Sequence, residues 1–264
     1  MVGFGAYVEL PLMRATARLG IPIALHEQNS VPGLANKQAA KSASLIAIAQ
    51  PSVESIFRER CGADTEILMT GNPVRSSVLA GDRGRGRAAL GVSRGARHLN
   101  ERLASLKSGL LRIPGVRVVQ STGAEGYDLA VAELALTEEE SARWEVRPYI
   151  DAMGDMLAAS DLVLSRAGAS SIAEIAALAV PSVLVPYPHA TADHQTTNAR
   201  FLVDAGASVM YADAAIDDDA FADDLFDLLR RPERRDAMRA SARALKQDRA
   251  AQLLADAVEA LRAR

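Results

Sequence analysis

The sequence has a single cysteine, Cys61, among 264 residues. One thiol closes no internal disulfide, and no Cys/His cluster has zinc-finger spacing, so a disulfide scaffold and a structural zinc module are both excluded. A reducing, cytoplasmic setting is expected. Apolar runs of about 18 residues, the length that crosses a bilayer, are missing as well. The opening MVGFGAYVELPLMRATARLG has no basic stretch ahead of an apolar one and does not read as a signal peptide. Neither charge sign dominates, with 30 Lys and Arg against 33 Asp and Glu. Nothing in that balance points to nucleic acid, and the basic run Asp82–Arg87 reads as a solvated linker. There is no G-x-S-x-G nucleophile elbow, no H-E-x-x-H metal motif and no G-x-x-x-x-G-K-[ST] phosphate loop. No repeat of solenoid period is present.

What the chain does have is apolar material, 49% of its residues, arranged in short runs that alternate with amphipathic ones. Residues 21–28, 45–50, 65–71, 116–123, 160–168, 181–188 and 207–214 read as strands, each with the near-continuous apolar character of a strand buried on both faces. Helices are expected over 9–19, 33–41, 52–59, 98–112, 151–158, 171–179 and 192–205. From Asp217 to the end the chain reads as helical, broken at Pro232. Such alternation predicts an α/β fold with parallel sheets and right-handed crossovers. The polar, glycine-rich stretch after Gly71–Arg75 marks a division into a front unit, 1–75, and a rear unit, 76–264. The chain opens directly on a glycine turn, as though a preceding strand were absent.

Polar residues gather where the predicted strands end, at the carboxyl edge where α/β sheets bind ligands. After strand 160–166 comes Arg166-Ala167-Gly168, then Ala169, Ser170 and Ser171 opening a helix. Free N–H groups at such a start attract phosphate, although Ser171 and Glu174 also fit a capping box, S-x-x-E. After strand 181–188 come Asp193, His194, Gln195 and Asn198. Asp193 fits an N-cap and Asn198 a solvated residue; equally, a carboxylate such as Glu174 accepts bonds from a diol, and an amide such as Gln195 orients sugar hydroxyls. In the front unit, His26, Glu27, Gln28 and Asn29 follow an apolar strand directly. Gly91-Val92-Ser93-Arg94-Gly95 has the outline of a phosphate-cradling turn, but lacks the strand that normally leads into one.

Taken together, GFGAY with HEQNSVPGLANK, GNPVR, GVSRGARHLN and SRAGASSIAEIAALAVPSVLVPYPHATADHQTTNA resemble the MurG family of peptidoglycan N-acetylglucosaminyltransferases, in the family's order and over nearly the whole chain. The resemblance implies a GT-B fold: two Rossmann-like domains facing a cleft, the N-terminal one incomplete here, with no metal and no cofactor. It implies an inverting transfer of N-acetylglucosamine from UDP-N-acetylglucosamine, held by the rear domain, to the lipid-linked muramoyl-pentapeptide (lipid I), giving lipid II. The partners implied are those two substrates and the inner leaflet of the plasma membrane. The place implied is peripheral, on the cytoplasmic face, where Lys37 and Lys41 could favour anionic lipid. By similarity, Glu174 binds the ribose hydroxyls, Ser93 faces the diphosphate, and Ile150 and Met153 line the uracil pocket. Arg75 and the backbone of Ala169, Ser170 and Ser171 contact the donor, Gln195 reads sugar hydroxyls, and Asn29 lies near the transferred sugar. The catalytic base is open, with His26 and Asn29 as candidates. The family's first strand and glycine-rich loop are expected before Met1, and a strand looks deleted before Gly91. Another UDP-sugar enzyme of the same fold, a glycolipid synthase or an epimerase, and a non-catalytic UDP-sugar-binding fragment are the alternatives.

Overall fold

A computed structural model describes residues 1–84, 97–245 and 247–262. Their contacts divide into two compact units, Met1–Val74 with Gln247–Arg264, and Arg75–Lys246.

The front unit is a four-stranded parallel sheet, β1 (Val2–Gly3), β2 (Ala24–Glu27), β3 (Leu45–Ile48) and β4 (Glu66–Met69), paired in that order. Ala24 lies opposite Leu45, and Leu45 opposite Glu66. The crossovers carry α1 (Leu10–Arg18), α2 (Leu34–Ala39) and α3 (Glu54–Arg58). β2 and β3 are buried along their whole length, as their sequence predicts. Ile23, Leu25, Ile46, Ile48, Val53 and Phe57 form the core beneath them. The glycine turn at the start follows a strand after all: Val2 and Gly3 pair in parallel with Ala24 and Leu25.

The rear unit starts with α4 (Ser76–Leu79), α5 (Arg97–Ser105) and α6 (Lys107–Leu111). β5 (Val118–Ser121) leads through α7 (Ala124–Leu134) and α8 (Glu138–Ser141) to β6 (Trp144–Arg147), its parallel neighbour. α9 (Met153–Ala159) then leads to a parallel sheet of three: β7 (Val163–Ser165), β8 (Ser182–Leu184) and β9 (Ser208–Met210), in that order. α10 (Ala169–Ala177) and α11 (His194–Val203) are its crossovers. α12 (Asp219–Arg230) and α13 (Pro232–Ala244) follow. One apolar core joins both sheets, with Val118, Trp144, Leu164 and Val183 packed among residues of α5 and α12.

All seven expected strands are present. The stretch 124–150, which the periodicity leaves unassigned, holds α7, α8 and β6. β6 is half charged, Trp144-Glu145-Val146-Arg147, because only Trp144 is buried and Glu145 and Arg147 face out. By contacts the division falls between Val74 and Arg75, and the C-terminal helix joins the front unit. α14 (Ala250–Arg262) returns to the front unit, where Leu261 packs on Ala24 and Leu45. The rear unit therefore ends before Gln247 rather than running to residue 264.

Candidate functional site

In the rear unit, three segments are brought together by tight backbone packing. A Cβ on Gly154 would stand 2.6 Å from Cα of Val78, and one on Gly81 would stand 2.2 Å from the carbonyl oxygen of Gly154. Only glycines let α4 and α9 approach this closely. That packing sets Arg75, at the start of α4, beside α10, where its Nη2 donates to Oε1 of Glu174 at 3.3 Å. The Arg75 side chain is 68% exposed and that of Glu174 17%, so the pair is a weak surface contact that a ligand can replace.

Behind Glu174 lies a small, mainly apolar hollow of about 60 Å³. Ile150, Met153, Ser171, Glu174 and Ile175 are among the residues around it. Ile150 and Met153 pack on Val119 and Met156 as a separate apolar cluster. Four of the residues singled out in the sequence thus share one cavity: a flat apolar wall, a hydroxyl and a carboxylate.

The helix that supplies Ser171 and Glu174 is not capped as the S-x-x-E pattern suggests. α10 begins at Ala169 with Gly168 as its N-cap, and no side chain caps it. Ser171 is therefore a first-turn residue, and Glu174 is left to face the hollow. The backbone N–H groups of Ser170 and Ser171 lie in the turn that has no intrahelical acceptors. A Cβ at Gly168 would meet nothing closer than Ser171 Oγ at 4.0 Å, so the fold itself does not demand glycine there.

α11 fixes the turn before that helix. Gln195 Oε1 accepts from the N–H groups of Ala167, at 3.1 Å, and Tyr187, at 2.9 Å. Asn198, fully buried rather than solvated, donates from Nδ2 to the Ala167 carbonyl at 3.2 Å. The carbonyl of the Gln195 amide is thus spent on backbone and only its NH₂ points elsewhere. Asp193 occupies the N-cap position of α11 in a left-handed conformation, φ 51°, but its carboxylate accepts from the Thr196 hydroxyl instead of a backbone N–H. Arg166, buried, donates to the carbonyls of Val185 and Pro186 and to Asp213. Sequence reasoning passes over Asp213 and His98, its other hydrogen-bond donor. Their only signal is a histidine at the start of an amphipathic helix.

The polar cluster of the front unit is built differently. His26 is 0% exposed, stacks at a tilt near Phe4, and shares a hydrogen bond from Nε2 with the Gly71 carbonyl at 3.0 Å. The carbonyl can only accept, so the ring carries its proton on Nε2 and Nδ1 is a buried acceptor with no partner among the described residues. Burial lowers the His26 pKa, against smaller raising effects of the Gly71 bond and Glu27. His26, a candidate base on the sequence, is thus enclosed in this structure, with the Gly71 carbonyl as its ring partner. Glu27 is equally buried. Its carboxylate takes the N–H groups of Asn29 and Gly33 and the amide of Asn36, at 2.9–3.0 Å. It is the knot that ties the 28–33 loop to the start of α2. Asn29 sits on that loop, half-buried. Ser93 lies outside the described residues. Among the described residues no group of three or more His, Cys, Asp or Glu could hold a metal.

Parallel α/β units, a strand-edge hollow and an uncapped helix start define a class, the GT-B glycosyltransferases, and solved structures agree. The fold matches MurG from Acinetobacter baumannii with a TM-score of 0.75 at 30% identity, covering 98% of this chain and 73% of that one. It matches a putative UDP-N-acetylglucosamine 2-epimerase from Listeria monocytogenes with a TM-score of 0.70, at 14% identity, over 98% of this chain and 73% of that one. That second likeness is one of fold alone. The family models for the glycosyltransferase family 28 N-terminal and C-terminal domains match residues 1–48 and 89–254. A relative from Desulforudis audaxviator, named as the UDP-N-acetylglucosamine–N-acetylmuramyl-(pentapeptide) pyrophosphoryl-undecaprenol N-acetylglucosamine transferase, is 36% identical over 99% of this chain and 73% of its own length. A Chlorobaculum parvum protein of the same name is 38% identical over 90% of this chain and 66% of its own. The chain belongs to glycosyltransferase family 28, among the MurG transferases.

Proposed function

We propose that the chain transfers N-acetylglucosamine from UDP-N-acetylglucosamine to lipid I, undecaprenyl-pyrophosphoryl-N-acetylmuramoyl-pentapeptide, producing lipid II for peptidoglycan. The observation that carries this reading is the meeting of Ile150, Met153, Ser171 and Glu174 at one hollow behind the uncapped start of α10. The apolar wall suits a uracil ring. Glu174, released from Arg75, accepts from the ribose diol, as a carboxylate with two oxygens can. The N–H groups of Ala169, Ser170 and Ser171 face the diphosphate, and the helix start stabilises the negative charge that grows there as the sugar leaves. The NH₂ of Gln195 reads a sugar hydroxyl, and Ser93 faces the diphosphate on the family's pattern.

In the reaction, the 4-hydroxyl oxygen of the muramoyl sugar bonds to C1 of N-acetylglucosamine from the side opposite UDP. The bond from C1 to the phosphate oxygen breaks, UDP carries away the electron pair, and the hydroxyl proton passes to a base. The configuration at C1 inverts. Family membership supports a transfer without a metal. On the family's pattern Asn29 lies near the transferred sugar, and the base stays open between His26, which burial disfavours, and Asn29.

Peripheral contact of the front unit with the cytoplasmic leaflet belongs to the same proposal. Phe4, Tyr7, Val8 and Leu12 expose large apolar side chains there. No helix among the described residues is long and apolar enough to cross a membrane. The epimerase alternative rests on fold likeness alone and is not favoured. The test is direct: the purified chain is given radiolabelled UDP-N-acetylglucosamine and lipid I in vesicles, with and without a chelator. Label appearing in lipid II in both reactions is the expected result. UDP binding with no transfer to lipid I would reduce the reading to a donor-binding fragment.

A further inference from the structure

The first turn of α5 holds an arrangement that the donor reading does not use. His98 stands between two carboxylates, with Nδ1 2.9 Å from Asp213 Oδ2 and Nε2 3.0 Å from Asp217 Oδ2. A neutral imidazole has one N–H and serves one of them; the imidazolium serves both. The geometry therefore selects the charged ring. Asp213 also receives, on its other oxygen, the guanidinium of Arg166. The Arg166 and Asp213 side chains are both largely buried, where screening by salt is weak. One carboxylate thus joins a cation at the start of α5 to a cation in the turn that opens α10.

We propose that His98 is a positioning residue: its protonated ring latches α5 to Asp213, and through Asp213 to the Arg166–Gly168 turn, so that the donor is held more tightly when the ring is charged. The inference rests on the donor-site reading above. The hydrogen bond to Asp213 raises the His98 pKa above its ordinary 6.5, burial opposes it, and Asp217 adds to the rise. For Asp213, burial pushes the pKa up, but the hydrogen bonds from His98 and Arg166 outweigh it and hold the group below its usual range. With a raised folded-state pKa, the latch is complete below about pH 6.5 and is lost as pH climbs through the His98 value.

The other charged groups nearby do not share that window. Arg97, on α5, is bound to Glu101, with Glu133 of α7 acting on it from further away. Arg102 is held by the carbonyls of Ile216 and Asp218. Arginines and carboxylates of ordinary pKa keep their charge between pH 6 and pH 9.

The test pairs an NMR titration of the imidazoles in the full chain with calorimetric binding of UDP from pH 6 to pH 9. The His98 midpoint is expected above 6.5 and lower in Asp213→Asn. The dissociation constant for UDP is expected to weaken about three- to tenfold across that range, on the scale of one partly exposed charge-assisted hydrogen bond. In His98→Gln, checked for an unchanged melting profile, the weakening due to the ring should be lost, leaving only the profile of the UDP phosphate's own ionisation, at about pH 6. A midpoint at or below 6.5, or the same pH profile in His98→Gln, overturns the latch. Absence of UDP binding at every pH overturns the donor reading instead, while the imidazole titration still decides whether His98 is held charged.

Discussion

Two buried-edge carboxylates, Glu27 in the front unit and Glu174 in the rear, follow similar sequence cues and have opposite fates. Glu27 ends β2, and Glu174 lies on α10, the helix that follows the carboxyl end of β7. Glu27 is 1% exposed and saturated by two backbone N–H groups and an amide. Among the described residues Glu174 holds only a weak contact with an exposed arginine, and it faces a hollow. A carboxylate near a strand end can therefore be a loop-shaping knot or a group left open toward a hollow. What separates them is whether the fold has already supplied the carboxylate with donors.

The histidines divide the same way. His26 is enclosed and kept neutral, and His98 is held charged between aspartates. Lowering the pH should thus weaken the front unit and firm the rear one.

The largest effect should come from removing the knot. Glu27→Ala removes the acceptor of three donors, of which the Asn36 amide is buried and the Asn29 and Gly33 N–H groups partly so, and should cost about 2–4 kcal/mol in denaturant unfolding of the front unit. A loss under about 1 kcal/mol would mean that Glu27 is not structural. Glu174→Ala should leave the melting profile nearly unchanged, because its ion-pair partner, Arg75, is mostly solvent-exposed. Its effect should appear in calorimetry as weaker UDP binding by about 1–3 kcal/mol, from lost bonds to a charged acceptor. If stability falls and affinity holds, the contrast between the two carboxylates collapses.

Gln195 sharpens the comparison, since it belongs to both categories. Gln195→Ala should lose about 1–2 kcal/mol of rear-unit stability through the amides of Ala167 and Tyr187. Gln195→Glu, whose carboxylate can still accept both, should recover that stability but not the contact made by the NH₂. The smallest effect concerns His26. Its folded-state pKa is depressed, so protonation favours the unfolded chain. Front-unit stability should fall as pH drops below about 6.5, by no more than about 1.4 kcal/mol per pH unit. His26→Gln should flatten that slope in thermal melts taken from pH 7.5 to pH 5.

Much of this was readable from residue order. Strands buried on both faces announce themselves as continuous apolar runs, and all seven such runs became strands. β6 escaped because an edge strand shows water its charged side, and WEVR carries no apolar run. Capping patterns misled in both directions. Thr137-x-x-Glu140 forms a true box at α8, whereas the same pattern at Ser171 and Glu174 does not, since α10 starts two residues earlier at Ala169. Local spacing cannot tell where a helix begins when the tertiary frame decides it. The hollow shared by Ile150, Met153 and Glu174 was foreseen only through family likeness; nothing in their spacing brings α9 and α10 together. The glycines that let α4 touch α9, Gly81 and Gly154, look ordinary until the backbones they allow to meet are seen. His98 and Asp213 lie 115 residues apart, beyond any pattern of local sequence.

The central claim is that the rear hollow receives the uridine half of the donor. Methyl-labelled NMR of the whole chain titrated with UDP tests it most directly. With UDP bound there, the methyl signals of Ile150, Met153 and Ile175 move with saturating concentration, while those of Ile23 and Ile46 in the front core stay still. Unmoved rear methyls, or shifts confined to the front unit, would contradict it.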